Sequence, residues 1–154
     1  MFDLLLRRGT VLPYVPLIIW VGVVLALGTG LGAMDETSRF IGPFLKWLLP
    51  NSPPETIRFI HALIRKFAHF AEYFVLVLLA WNAFRIFRRP ILLSFLLAAA
   101  VAVLDELDQS LNAARTSSIY DVLLDCAGAF AACVIIWGIS RYLRDGLSEP
   151  EQRP

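Results

Sequence analysis

Lys66, His69, Glu72 and Tyr73 stand at the head of an apolar run, in the stretch RKFAHFAEYF at residues 65–74. Further along come Asp105, Glu106, Asp108 and Gln109, then Arg115, then Asp121 and Asp125. These residue types could do three kinds of chemistry. His69, Glu72, Glu106 or Asp121 could move protons as general acids or bases once their surroundings tune them. Lys66 and Arg115 could hold phosphate or carboxylate oxygens, with Tyr73, Asp105, Gln109 and Asp125 adding polar contacts to the same substrate. Asp105, Glu106 and Asp121 could hold a divalent cation through oxygen ligands.

Spacing groups them. On a helix Lys66, His69 and Tyr73 fall at i, i+3 and i+7 on one face, with Glu72 at its margin. Asp105 and Gln109 are one turn apart, as are Asp121 and Asp125, and Gly128 follows on the same side. Each set is a narrow polar stripe on an apolar helix. A charge facing lipid costs about 3 kcal/mol or more, so such stripes turn toward a bundle interior or a wet cavity.

Taken singly, these residues have plainer readings. Lys66 suits an interface, His69 a hydrogen-bonded packing position, and Asp121 a helix start, where an acid complements the dipole. Together they put six carboxyls (Glu72, Asp105, Glu106, Asp108, Asp121 and Asp125) against Lys66 and Arg115, an excess of four negative charges. Protonation, a bound divalent cation or exposure to water must relieve that excess, and Asp108 is the first candidate for exposure. The convergence favours a functional pocket over a set of unrelated polar residues.

The elements that must position these groups are membrane helices. The 154 residues are 58% hydrophobic and 18% charged, with a mean hydropathy of +0.66. A soluble domain has about a quarter of its residues charged. A net charge of +1 and the lack of a basic patch interleaved with aromatics give no reason to expect a nucleic-acid partner. The fold class expected is all-α: one polytopic domain over residues 1–145, with four transmembrane helices at about 12–31, 66–87, 91–107 and 120–142, and a tail at 146–154. Arg7, Arg8 and the apolar run after them could also read as a signal peptide, but that run is long for one.

Basic loops set the orientation. Arg85, Arg88 and Arg89 crowd the second connection, and Arg141 and Arg144 open the tail. Both termini and that loop are therefore expected in the cytoplasm of a bacterial inner membrane, with the acidic stripes at the outer leaflet. Trp81, Trp137 and Tyr142 fall at the cytoplasmic ends, as an aromatic belt would. Within the first connection, Ile57, Ile60 and Ile64 recur at helical spacing, which predicts a separate interfacial helix with His61 as an interfacial side chain. Gly22, Ala26 and Gly30, and again Gly128 and Ala132, predict close helix contacts. Cys126 and Cys133 lie seven apart on one helix, too far for a disulfide.

The polar segments resemble the VanZ family of small bacterial membrane proteins. The motifs stand here as K66-F-A-H69-F-A-E72-Y73, D105-E106-L-D-Q109, R115-T-S-S and D121-V-L-L-D125-C-A-G128. Thr116 follows the arginine where the family pattern has serine, and Asp125 stands where it has asparagine. The resemblance implies a multi-span protein of the cell envelope, similar to a teicoplanin-resistance factor, and it brings no established catalytic residue.

Two functions compete. One is an enzyme or binding protein for a membrane lipid or lipid-linked envelope precursor, with a divalent cation as the one cofactor the residues suggest. The other is a non-catalytic factor whose polar network fixes helix register and recruits a partner. No HExxH, phosphate loop or nucleophile motif occurs. Ion transport is disfavoured because no acidic relay descends toward the cytoplasm, although an oligomer could still form a path.

Overall fold

The computed structural model describes residues 11–28, 34–111 and 119–148. These form five helices: α1 (Tyr14–Ala26), α2 (Met34–Leu48), α3 (Pro54–Phe84), α4 (Pro90–Leu111) and α5 (Ile119–Ser148). No strand occurs among the described residues. Among the described residues, three segments are long and apolar enough to cross a membrane: Pro54–Phe84, Pro90–Asp108 and Ile119–Asp145. α1 is equally apolar but has 13 residues, shorter than the first span expected from sequence.

α3 opens with proline in its first turn, where a missing N–H is harmless, and Glu55 there suits the dipole. From Glu55 to Phe84 no glycine or proline interrupts it. The expected break between an interfacial helix and the second span is therefore absent. Ile57, Ile60 and Ile64 belong to one 31-residue helix, ~46 Å long at 1.5 Å per residue. That exceeds a hydrocarbon core of about 30 Å, so a turn or more of α3 extends beyond the apolar layer. The isoleucine stripe also faces protein at its start, since Ile57 is buried, and His61 is buried with it. The amphipathic helix of this connection is α2, which packs on α3. Phe40, Phe44 and Trp47, spaced i, i+4 and i+7, stand exposed on it, and the Phe44 and Trp47 rings are 6.2 Å apart.

α3, α4 and α5 pack against one another as an antiparallel trio, and α1 lies chiefly along α3. The tightly buried positions are rich in small residues: Ala80, Ala83, Ala98, Ala102, Ala129 and Ala132. Alanine at the contact lets helices approach where lipid offers no hydrophobic drive to associate. Leu76, Val77, Val101 and Ile136 fill the space between. Outward, Ile18, Ile19, Leu96, Val103, Phe130, Val134 and Ile139 are exposed. Such a continuous apolar surface fits a hydrocarbon solvent.

Two contacts dock α1. Tyr14 and Phe84 have ring centroids 6.3 Å apart, and the Trp20 indole N–H donates to the Glu72 carbonyl at 3.0 Å. α1 thus starts beside the end of α3 and runs antiparallel to it. Its last, widened turn reaches Gly28, whose backbone lies directly against the Asp105 carboxylate. The small-residue stripe expected on α1 does not make a helix contact, because Gly22 and Ala26 are exposed and an added Cβ at Gly22 would meet nothing. Gly30 lies outside the described residues. On α5 the expectation fares better: Gly128 and Ala132 are both buried. Both cysteines are free thiols.

Candidate functional site

The middle of α3, the end of α4 and the start of α5 meet on the side of the bundle away from the Arg85–Arg89 turn. This follows from the antiparallel order, which puts Phe84, Pro90 and the tail of α5 together at the other end. Helical phase decides which polar groups enter. His69 lies one turn before Tyr73 on α3, and Asp125 of α5 is within electrostatic reach of both. His69 Nδ1 lies 3.5 Å from Asp125 Oδ1, with the His69 side chain 15% exposed and that of Asp125 4%. Neither atom has a hydrogen bond of good geometry among the described residues.

Asp105 of α4 is the third member. It is 3% exposed and abuts Gly28. One donor atom each from His69, Asp105 and Asp125 lie within 4.8 Å of one another. Beneath them Tyr73 is fully buried. Its hydroxyl has no hydrogen-bond partner among the described residues and lies within electrostatic reach of Asp105, Asp125 and Glu72.

A cavity of about 130 Å³ opens beside this cluster, lined by Val24, Leu27, Gly28, Ile41, His61, Ile64, Arg65, Ala68, His69, Glu72 and Asp105. Drug-sized ligand sites run from about 300 Å³ upward, so this one suits a few waters or a phosphate-sized group rather than a whole lipid. His61 also lines a second, shallower groove with Gly42, Lys46, Pro54, Ile57 and Arg58. The two spaces share that histidine as a common wall. Lys46 and Arg58 make the outer groove basic, whereas the inner recess holds Glu72 and Asp105 together with Arg65.

The residues expected from sequence divide as follows. His69, Glu72, Tyr73, Asp105 and Asp125 converge on the recess or its floor. Asp121 is half-buried in the first turn of α5, one turn above Asp125 and within its electrostatic reach. Lys66 points out and is exposed, and Glu106 is half-buried off the recess lining. Asp108, expected in water, is half-buried, with a buried carboxylate oxygen. The Gln109 side chain and Arg115 lie outside the described residues. Among the described residues the ligand-type cluster is accordingly His69, Asp105 and Asp125, and neither Glu106 nor Asp121 is part of it.

Sequence reasoning missed four contributors: Arg65, His61, Gly28 and Lys46. Arg65 could have been found by phase, since it precedes His69 by one helical turn and shares its face, while Lys66 is rotated a further 100°. The Gly28–Asp105 contact joins residues far apart in the chain and leaves no local signal.

No curated protein and no solved structure matches the chain. The sequence profile of the VanZ/LLP1 family matches residues 14–141, which include all five helices except the last turns of α5. That match covers every residue lining the recess, and this membrane protein belongs to the VanZ/LLP1 family.

Proposed function

We propose that the recess binds the anionic headgroup of a membrane lipid or lipid-linked envelope precursor. The carrying observation is the basic groove of Lys46 and Arg58, which meets the inner recess at His61, with Arg65 lining the recess itself. A phosphate in that passage would find guanidinium donors in reach while its lipid tail lay along the apolar flank of the bundle. Glu72, which lines the recess, would be the group available for proton transfer to a bound headgroup. The small cavity supports a headgroup rather than a whole lipid as the enclosed part.

In the proposed setting the chain lies in the bacterial inner membrane with four spans, α1 being the first, and both termini in the cytoplasm. Three things support this: the Arg85, Arg88 and Arg89 turn at the end opposite the recess, the course of α1 along α3, and the exposed aromatic stripe of α2. That stripe would rest α2 on the outer membrane surface. Retaining or sequestering an envelope precursor there would contribute to teicoplanin-type glycopeptide resistance.

The test is headgroup binding by the purified chain in nanodiscs that contain a polyprenyl phosphate or only neutral lipid. Binding of the phosphate lipid should fall by about 10-fold per removed guanidinium in Arg65→Gln and Arg58→Gln, one charged hydrogen bond being worth about 1.5–3 kcal/mol. Equal binding by wild type and both variants would end the proposal.

A second reading has the polar cluster as a structural tie that serves partner recruitment. It is favoured by His69 and Asp125 linking α3 to α5 directly. Under it, loss of the resistance phenotype in site variants would track loss of folded protein. A stable variant lacking the phenotype would exclude it.

A further inference from the structure

We infer that His69, Asp105 and Asp125 form a three-ligand site for a divalent cation of the Zn²⁺ class, with an open coordination position facing the recess. The inference concerns the same site as the proposed headgroup binding, but it stands on the ligand cluster and not on any lipid.

Three helices each supply one donor, and the donor atoms lie within 4.8 Å of one another. Zn²⁺ bonds of about 2.0–2.1 Å imply ligand atoms about 3.3 Å apart in a tetrahedron. The His69–Asp125 pair, at 3.5 Å, is nearly there already. Small rotations of the Asp105 side chain would complete the set.

Charge supplies the reason. Asp105 and Asp125 are each 3% exposed, and an ion held out of water costs several kcal/mol after relaxation. A divalent cation cancels both carboxylates at one stroke.

Tyr73 is an independent pointer. A phenol fully buried without a hydrogen-bond partner among the described residues is uncommon. It lies within electrostatic reach of both aspartates. A water bound to the cation would give the hydroxyl its partner.

The donor set selects the ion. One imidazole with two carboxylates suits zinc, and three protein ligands leave a position for water or substrate. Calcium would need six or more oxygens, and magnesium keeps an octahedral water shell. The Asp125 carboxylate is what makes the third ligand, since an amide there would carry no charge.

The full chain, purified in detergent and stripped with chelator, should take up about one equivalent of Zn²⁺ by elemental analysis, as a three-ligand site requires. Its thermal unfolding midpoint should rise with Zn²⁺ and not with Mg²⁺. His69→Gln and Asp125→Asn should each weaken uptake by about 100-fold or more, beyond the usual cost of losing an outer-shell partner. The metal-free midpoint of Asp125→Asn should stay near that of metal-free wild type, because one of two buried carboxylates has been removed, whereas His69→Gln should lower it by taking the imidazole away from Asp125. Asp121→Asn should bind as wild type does. No uptake by wild type would overturn the inference, as would loss in Asp121→Asn with retention in His69→Gln. Because the assay contains no phosphate lipid, its failure leaves the headgroup test standing, and the reverse holds.

Discussion

His69 Nδ1 and Asp125 Oδ1 face each other at 3.5 Å, joining the middle of α3 to the second turn of α5. The separation is longer than a usual N–H···O bond of about 2.7–3.2 Å. A double-mutant cycle with His69→Ala and Asp125→Ala, read by unfolding in mixed micelles, should give a coupling of roughly 0.5–3 kcal/mol. Additivity of the two single changes would show that the proximity has no energetic content.

Gly128 is the point where α5 rests on α3. An added Cβ there would collide with the Phe70 carbonyl group and Cα, all of them backbone atoms. A backbone cannot swing aside, so Gly128→Ala must separate the helices. We expect a loss of about 1–3 kcal/mol, the usual cost of overpacking, seen as a lower unfolding midpoint and less monodisperse protein. An unchanged midpoint would contradict the packing described.

Gly28 gives the opposite outcome. A Cβ at this position would overlap the Asp105 carboxylate, a side-chain group that can rotate away. Gly28→Ala should leave the unfolding midpoint within about 1 kcal/mol of wild type, as flexible sites do when volume is added. Ligand uptake at the recess should drop about tenfold or more, because a group displaced by about 1 Å no longer holds its geometry. Titration of ligand into both proteins compares the two effects directly.

Trp20 ties α1 to α3 through its bond to the Glu72 carbonyl. Trp20→Phe keeps the ring and removes the donor. The expected cost is about 0.5–1.5 kcal/mol, with faster amide exchange in α1 and little change in α4 or α5. Uniform loosening of all helices would show that α1 is not a separable layer.

Orientation is open to labelling. In a background with Cys126→Ser and Cys133→Ala, a cysteine replacing Arg88 should react with an impermeant maleimide only after cells are opened. One replacing Asn51, in the turn after α2, should react in intact cells. Reversed labelling would put the recess on the cytoplasmic side and remove envelope precursors as its ligands.

Much of the architecture was legible in the chain. Apolar runs of membrane length must become helices, because no other local structure satisfies their backbone groups in lipid. Once α3, α4 and α5 alternate in direction, the polar stretch at residues 65–73 of α3, the polar start of α5 and the polar end of α4 must come to one level. His69, Glu72, Tyr73, Asp105 and Asp125 were readable on that ground alone. Helical phase was harder: Asp105 and Glu106 are adjacent in sequence, yet one is buried in the cluster and the other stands off it. Arg65 and Lys66 present the same problem, and the lysine of the family-like motif proved to be the exposed member.

The sequence by itself determined the solvent, the helices and the end of the bundle where charge gathers, since these depend on composition and on spacing within single segments. The tertiary structure decided the rest. It joined the Ile57–Ile64 stripe to α3, transferred the amphipathic role to α2, brought Gly28 against Asp105, and chose His69, Asp105 and Asp125 as the set that meets. Those outcomes depend on the rotation of each helix about its axis and on contacts between distant residues. Rotation is settled by how small residues such as Gly128 and Ala132 let backbones approach, a condition that belongs to pairs of helices and not to either one.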